Sequence, residues 1–189
     1  MLPPVYVTGD RVPARIWSEV RTRAEDAPAN IVPGLLATAL RNEGIPVAAA
    51  PDTGSAALIA ADEDGRVERT EGCEPGECPG VTVVTTSLSG LEDLAGRVEG
   101  EDLLIAIERP PSDRELLAIG IYGAGFERGD VSSPTTRMPG YVLATDLLPT
   151  ILDRYGVEIP ADDVMGRVIE TEGAEADAAA VHERGDRLV

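Results

Sequence analysis

Apolar positions along the chain recur with two alternating periods. Short runs of β-type residues fall at 5–7, 45–50, 58–61, 81–86, 103–107, 116–122 and 141–144. Several are continuously apolar rather than alternating, the pattern of strands covered on both faces. Helical spacing falls between them. Residues 33–42 carry Leu35, Leu36, Ala39 and Leu40 behind Pro33, and stop at Gly44. That order places Pro at the first turn and Gly past the end. Residues 88–98 set Leu91, Leu94, Ala95 and Val98 on one face, and 145–155 begin with Thr-Asp capping and end at Gly156. The alternation predicts an α/β domain over residues 1–169, with a largely parallel sheet and flanking helices.

Two stretches break the alternation. Residues 62–80 read as an acidic excursion whose only periodic apolar position is Val67, and Asp64-Gly65 is a turn signal, so a hairpin or exposed loop is expected. Residues 170–189 are acidic and Ala-rich without an apolar stripe, and read as a solvated helix or a frayed tail. No internal repeat is visible.

Composition narrows the function classes. With 43% hydrophobic residues in 189, a sizeable core is available, yet only 3% are aromatic, so that core is built from Leu, Ile, Val and Ala. Acidic residues number 34 against 16 basic ones, a formal charge of -18, and every basic residue is Arg. Such a field repels phosphate backbones and anionic lipid, so nucleic-acid binding and polybasic membrane attachment are not expected. The Lys-free, Ala-, Gly- and Arg-rich composition fits either a GC-rich coding bias or a surface adapted to high salt. No run approaches the roughly 18 apolar residues of a membrane span, so direct membrane insertion is not expected. The first residues lack a positive n-region, and the short apolar patch breaks at Gly9-Asp10-Arg11, so no signal peptide is read there.

Cys73 and Cys78 bracket Glu-Pro-Gly-Glu. A Pro75-Gly76 turn would allow a disulfide, which marks an oxidising compartment; two free thiols or half of a metal site are the alternatives. Zinc needs about four ligands, and the chain has no further Cys and one His. That residue, His182, lies in the acidic tail and reads as a surface histidine, since a general base must be held within reach of its substrate. Gly123-x-Gly125 lacks the third glycine of a dinucleotide fingerprint, position 128 being Arg, and no helical pattern follows.

The stretch from Leu103 to Gly166 is more specific. A strand ends at Glu108-Arg109. A second leads to Tyr122-Gly123-Ala124-Gly125, followed by Ser132-Ser133-Pro134-Thr135-Thr136-Arg137. Then comes Thr145-Asp146-x-x-Pro149-Thr150-x-Leu152-x-x-x-Gly156-Val157-x-x-Pro160, closing at Gly166. This run resembles the helix and loop that follow the last metal-binding loop in the alkaline-phosphatase-like superfamily, which includes sulfatases, phosphodiesterases and metal-dependent phosphoglycerate mutases. Pro33-Gly34-Leu35-Leu36 through Gly44-Ile45 is similar to a helix and strand of its secreted actinobacterial members. The resemblance covers about two thirds of the chain, and only the 145–166 run is distinctive.

The resemblance implies the superfamily's α/β fold, in incomplete or truncated form, and for complete members a Ser or Thr nucleophile with two metal ions held by Asp and His. Such paired metals stabilise the attacking and leaving oxygens of an in-line displacement. Here Glu108-Arg109 stands where an Asp-His pair normally ends the strand, and 132–137 holds no His. The strand expected to carry the nucleophile has only residues 5–10 as a counterpart. The implied reading is a non-catalytic member from a high-GC bacterium, without a cofactor, that binds or interacts. Its partner is another protein or the rest of a longer polypeptide. Arg109, Thr135, Thr136 and Arg137 would surround the former site and could hold phosphate or sulfate. The alternative is a divergent phospho- or sulfo-ester hydrolase whose ligands are the carboxylates Asp10, Glu108, Asp130 and Asp146, taking Mn²⁺, Mg²⁺ or Zn²⁺; oxygen-rich sites favour the first two. An extracytoplasmic location follows from the cysteine pair and the secreted relatives, a cytoplasmic one if Met1 is the native start.

Overall fold

In the first half of the chain, small and β-branched residues are buried around one short strand, and the sheet grows outward from it. The computed structural model describes residues 7, 9–70, 77–108, 116–158, 164–173, 175 and 177–185. The chain divides into two compact units, Met1–Leu88 with Ile151–Met165, and Ser89–Thr150 with Gly166–Val189.

The first unit contains helices α1 (Ala14–Glu25) and α2 (Leu35–Asn42) and strands β1 (Val47–Ala49), β2 (Glu68–Arg69) and β3 (Val81–Val83). The strands form a parallel sheet in the order β2-β1-β3, with Ala48 beside Glu68 and Thr82. β1 is buried throughout, as a central strand with cover on both faces must be. Leu35, Leu40, Val12, Val67, the alanines 37, 57, 60 and 61, and Leu152 and Val164 are buried with it. Trp17, the only buried residue of α1, lies against Gly65 and donates its ring N–H to the Glu63 carbonyl at 3.1 Å.

The acidic excursion does turn at Asp64-Gly65. The Asp62 carboxylate accepts the N–H groups of Asp64 and Arg66 at 3.0 and 2.8 Å, and Ala61 bridges Val67 in antiparallel fashion. Beyond that bridge, however, residues 68–69 add a strand to the parallel sheet instead of returning as a hairpin.

Two expected strands have other conformations. The 58–61 run lies in a 3₁₀ helix, Gly54–Ala60. Its apolar residues are mostly alanines, poor strand formers, and Ala57 and Ala60 are buried three residues apart, the spacing at which a 3₁₀ helix stacks side chains. The 141–144 run leads into a second 3₁₀ turn, Ala144–Asp146, because Asp146 captures the Leu143 N–H.

The second unit contains α3 (Leu88–Ala95, whose first residue belongs to the first unit), β4 (Leu103–Ile107), β5 (Ile119–Gly123), β6 (Asp130–Ser132), the start of α4 (Leu147–Arg154), β7 (Glu170–Glu172) and α5 (Ala178–Gly185). β4 pairs with β5 and β6 with β7, both antiparallel, so the parallel arrangement is confined to the first unit. Between β4 and β5 the chain is too short for the crossover of a dozen or more residues, usually helical, that parallel neighbours need. The 170–189 stretch supplies α5, the helix that is one of its two expected states, and β7, which its weak apolar patterning did not reveal.

Candidate functional site

The distinctive 145–166 run is organised around a single carboxylate. Asp146 closes the 3₁₀ turn that opens α4 and is fully buried. Its Oδ1 accepts the Thr135 hydroxyl at 2.7 Å and the Arg167 N–H at 2.9 Å, while Oδ2 accepts the Leu143 N–H at 2.9 Å. A buried ionised carboxylate is tolerated only when its lone pairs are met by donors. Here three strands of chain converge to meet them.

One turn later Thr150, also buried, repeats the device. Its hydroxyl donates to the Asp146 carbonyl at 2.6 Å and accepts the Ile169 N–H at 2.9 Å. Gly166 makes the approach possible, because a Cβ there would sit 2.0 Å from the Thr145 carbonyl oxygen. Asp146 and Thr150 therefore both secure backbone, at Leu143, Arg167 and Ile169.

Thr135, Thr136 and Arg137 occupy one turn after β6. The Ser133 hydroxyl accepts the Thr135 N–H at 3.0 Å, and the Ser133 carbonyl accepts the Arg137 N–H at 2.9 Å. Arg137 takes a left-handed backbone, φ 56°, unusual for a residue with a Cβ. The Thr136 hydroxyl donates to the Tyr141 carbonyl at 2.6 Å. Both threonine hydrogens are thus directed inward, and an anion on this turn would meet the Arg137 side chain and threonine lone pairs. Arg109, the other residue of the expected anion site, lies outside the described residues.

Three of the four carboxylates of the metal alternative, Glu108, Asp130 and Asp146, accept backbone N–H groups of the second unit. Asp146 is engaged as above. The Asp130 carboxylate accepts the Asp177 N–H at 3.1 Å, and that of Glu108 the Ala118 N–H at 3.4 Å. Asp10 is exposed and belongs to the first unit. Among the described residues no group of three or more His, Cys, Asp or Glu side chains is placed to share a cation. Cys78 is disulfide-bonded; Cys73, the only other cysteine, lies outside the described residues.

Ser133, Thr150 and Gly166 stand in the quoted runs but are not among the candidate site residues. The Asp146-x-x-x-Thr150 spacing carries no distinguishing signal, and two of the partners of Asp146 stand 11 and 21 residues away. A second place where open α/β sheets take ligands is the carboxyl edge of β1 and β3, where the strand order reverses. It is closed by its own side chains: the Thr53 hydroxyl donates to the Ala50 carbonyl at 2.6 Å, and the Thr85 hydroxyl to the Thr53 carbonyl at 3.0 Å. No protein-family model, curated protein or solved structure matches the chain.

Proposed function

We propose that this chain is a non-catalytic domain of the alkaline-phosphatase-like kind, acting as a binding or interaction module. The observation that carries the reading is the state of Asp146. In the run that resembles the superfamily, its two oxygens accept one hydroxyl and two backbone N–H groups from within the chain, so the carboxylate works as internal scaffolding. Supporting it, Glu108 and the 132–137 turn lack the His residues that the superfamily's chemistry uses. The disulfide at Cys78 favours an oxidising, extracytoplasmic setting.

Calorimetric titration with Mn²⁺ and with Zn²⁺, alongside turnover assays on aryl phosphate mono- and diesters and an aryl sulfate, tests the proposal. The expected result is no saturable uptake up to roughly millimolar metal, weaker than a dedicated site, and no turnover. Saturable binding of about two ions, weakened in Asp146→Asn, would return the chain to the two-metal hydrolases and overturn it.

A further inference from the structure

Sulfur chemistry in this chain falls to methionine. Cys78 is disulfide-bonded and Cys73 is the only other cysteine, so the thioethers are the sulfurs left to meet an oxidant. Of the three methionines the structure describes Met138 and Met165, and Met165 is the more open, 59% exposed against 37%. Its sulfur is also engaged. Met165 Sδ accepts the Asn30 N–H at 3.1 Å, a role in which a thioether is a weak partner. A chemical change at this exposed atom therefore reaches the backbone it holds.

That backbone is the linker from α1 to α2, residues 26–34, and Met165 follows it by 135 residues from Asn30. The contact pins the linker to the chain beyond α4, and both sides belong to the first unit. Pro28 and Pro33 supply no N–H, which leaves the linker fewer backbone donors with which to anchor itself. The same linker walls an open cavity of about 730 Å³, where Pro28, Ile31 and Val32 lie beside Arg21, Glu63 and Asp64.

We propose that Met165 is an oxidation site, and that its sulfoxide unpins the α1–α2 linker. Hydrogen peroxide is the simplest oxidant. A lone pair on Sδ attacks one peroxide oxygen, and the S–O bond forms as the O–O bond breaks. The proton on the transferred oxygen passes to the departing one, which leaves as water. Sulfur gives up two electrons and the peroxide takes them. Hydrogen peroxide carries no charge, so the net charge of -18 does not oppose its approach.

The product is polar where the thioether was apolar. Its accepting atom is now the oxygen, one bond away from the sulfur, so the Asn30 N–H loses the partner it had at 3.1 Å. The linker, and with it one wall of the cavity, is then held less tightly.

Dilute hydrogen peroxide on the full chain tests this, with peptide mass mapping to locate the added oxygen and hydrogen exchange to follow the Asn30 amide. Expected is oxidation of Met165 several-fold faster than of Met138. In the chain oxidised at Met165 the Asn30 amide exchanges several-fold faster, while that of buried Leu40 is unchanged. Met165→Leu keeps an apolar side chain without the sulfur, at an exposed position where the fold tolerates it. Its Asn30 amide should exchange fast before peroxide is added and be unmoved by it. Oxidation of Met138 ahead of Met165 overturns the proposal, as does an Asn30 amide that exchanges alike in oxidised and untreated chains. So does peroxide that still accelerates that amide in Met165→Leu, which would place the effect at another residue.

Discussion

Asp146 is one of 34 acidic residues, and what separates it from the others is complete burial with three donors. An Asn in its place keeps one acceptor oxygen but turns an N–H₂ toward a backbone N–H of Leu143 or Arg167, which cannot accept it. Asp146→Asn is expected to cost about 2–3 kcal/mol, since a buried charged acceptor is being replaced by a mismatched group. For a chain of this size that lowers Tm by roughly 5–10 °C, measurable by calorimetry. Gly166→Ala tests the same junction from the backbone side. Its Cβ would collide with the rigid Thr145 carbonyl, so a loss of about 2 kcal/mol or more in denaturant titration is expected, well above the usual effect of a surface substitution. The capping role of Asp146 was legible from Thr145-Asp146 before a helical stretch. Its grip on Thr135 and Arg167 was not, because residues distant in sequence become neighbours only after the chain has folded.

At the level of elements, apolar continuity located β4 to the residue and β1, β3, α2 and α3 within a few positions. Its failures have physical causes. The 58–61 run is apolar but alanine-rich, so small side chains that pack at close spacing favoured a 3₁₀ helix over a strand. α1 escaped notice because it buries little beyond Trp17 and is otherwise a solvated helix, with Arg15 and Glu19 paired at 3.2 Å on its exposed face. β2 and β7 are two and three residues long and owe their existence to the neighbours they pair with. Thr150 couples α4 to the segment before β7, and Thr150→Val preserves its shape while removing the hydroxyl. Leaving the Ile169 N–H unpaired in the core should cost about 1–3 kcal/mol, with faster exchange of that amide as the specific signature.

Across the molecule, charge and chain topology act differently. A net charge of -18 penalises the compact state through self-repulsion, and added NaCl screens it. Tm is therefore expected to rise between low salt and about 1 M NaCl, a range over which the screening length falls to about 3 Å; a Tm indifferent to salt would show that the acidic surface is already neutralised by local pairing. The arginines spend much of their bonding on the fold itself. The Arg41 guanidinium reaches the Asp62 carboxylate and the Val47 carbonyl at 3.1 and 2.8 Å, and Arg69 reaches the carbonyls of Val7, Gly9 and Ala50. From the sequence alone came the α/β class, the turn at Asp64-Gly65, the helix beginning near Asp146 and the acidic surface, all of which depend on neighbours within a few residues or on composition. The tertiary structure decided the direction of strand pairing, the division into two units, the inward commitment of Thr135 and Thr136, and the meeting of Asn30 with Met165. Each of these depends on which distant segments meet, and local propensity does not encode that choice.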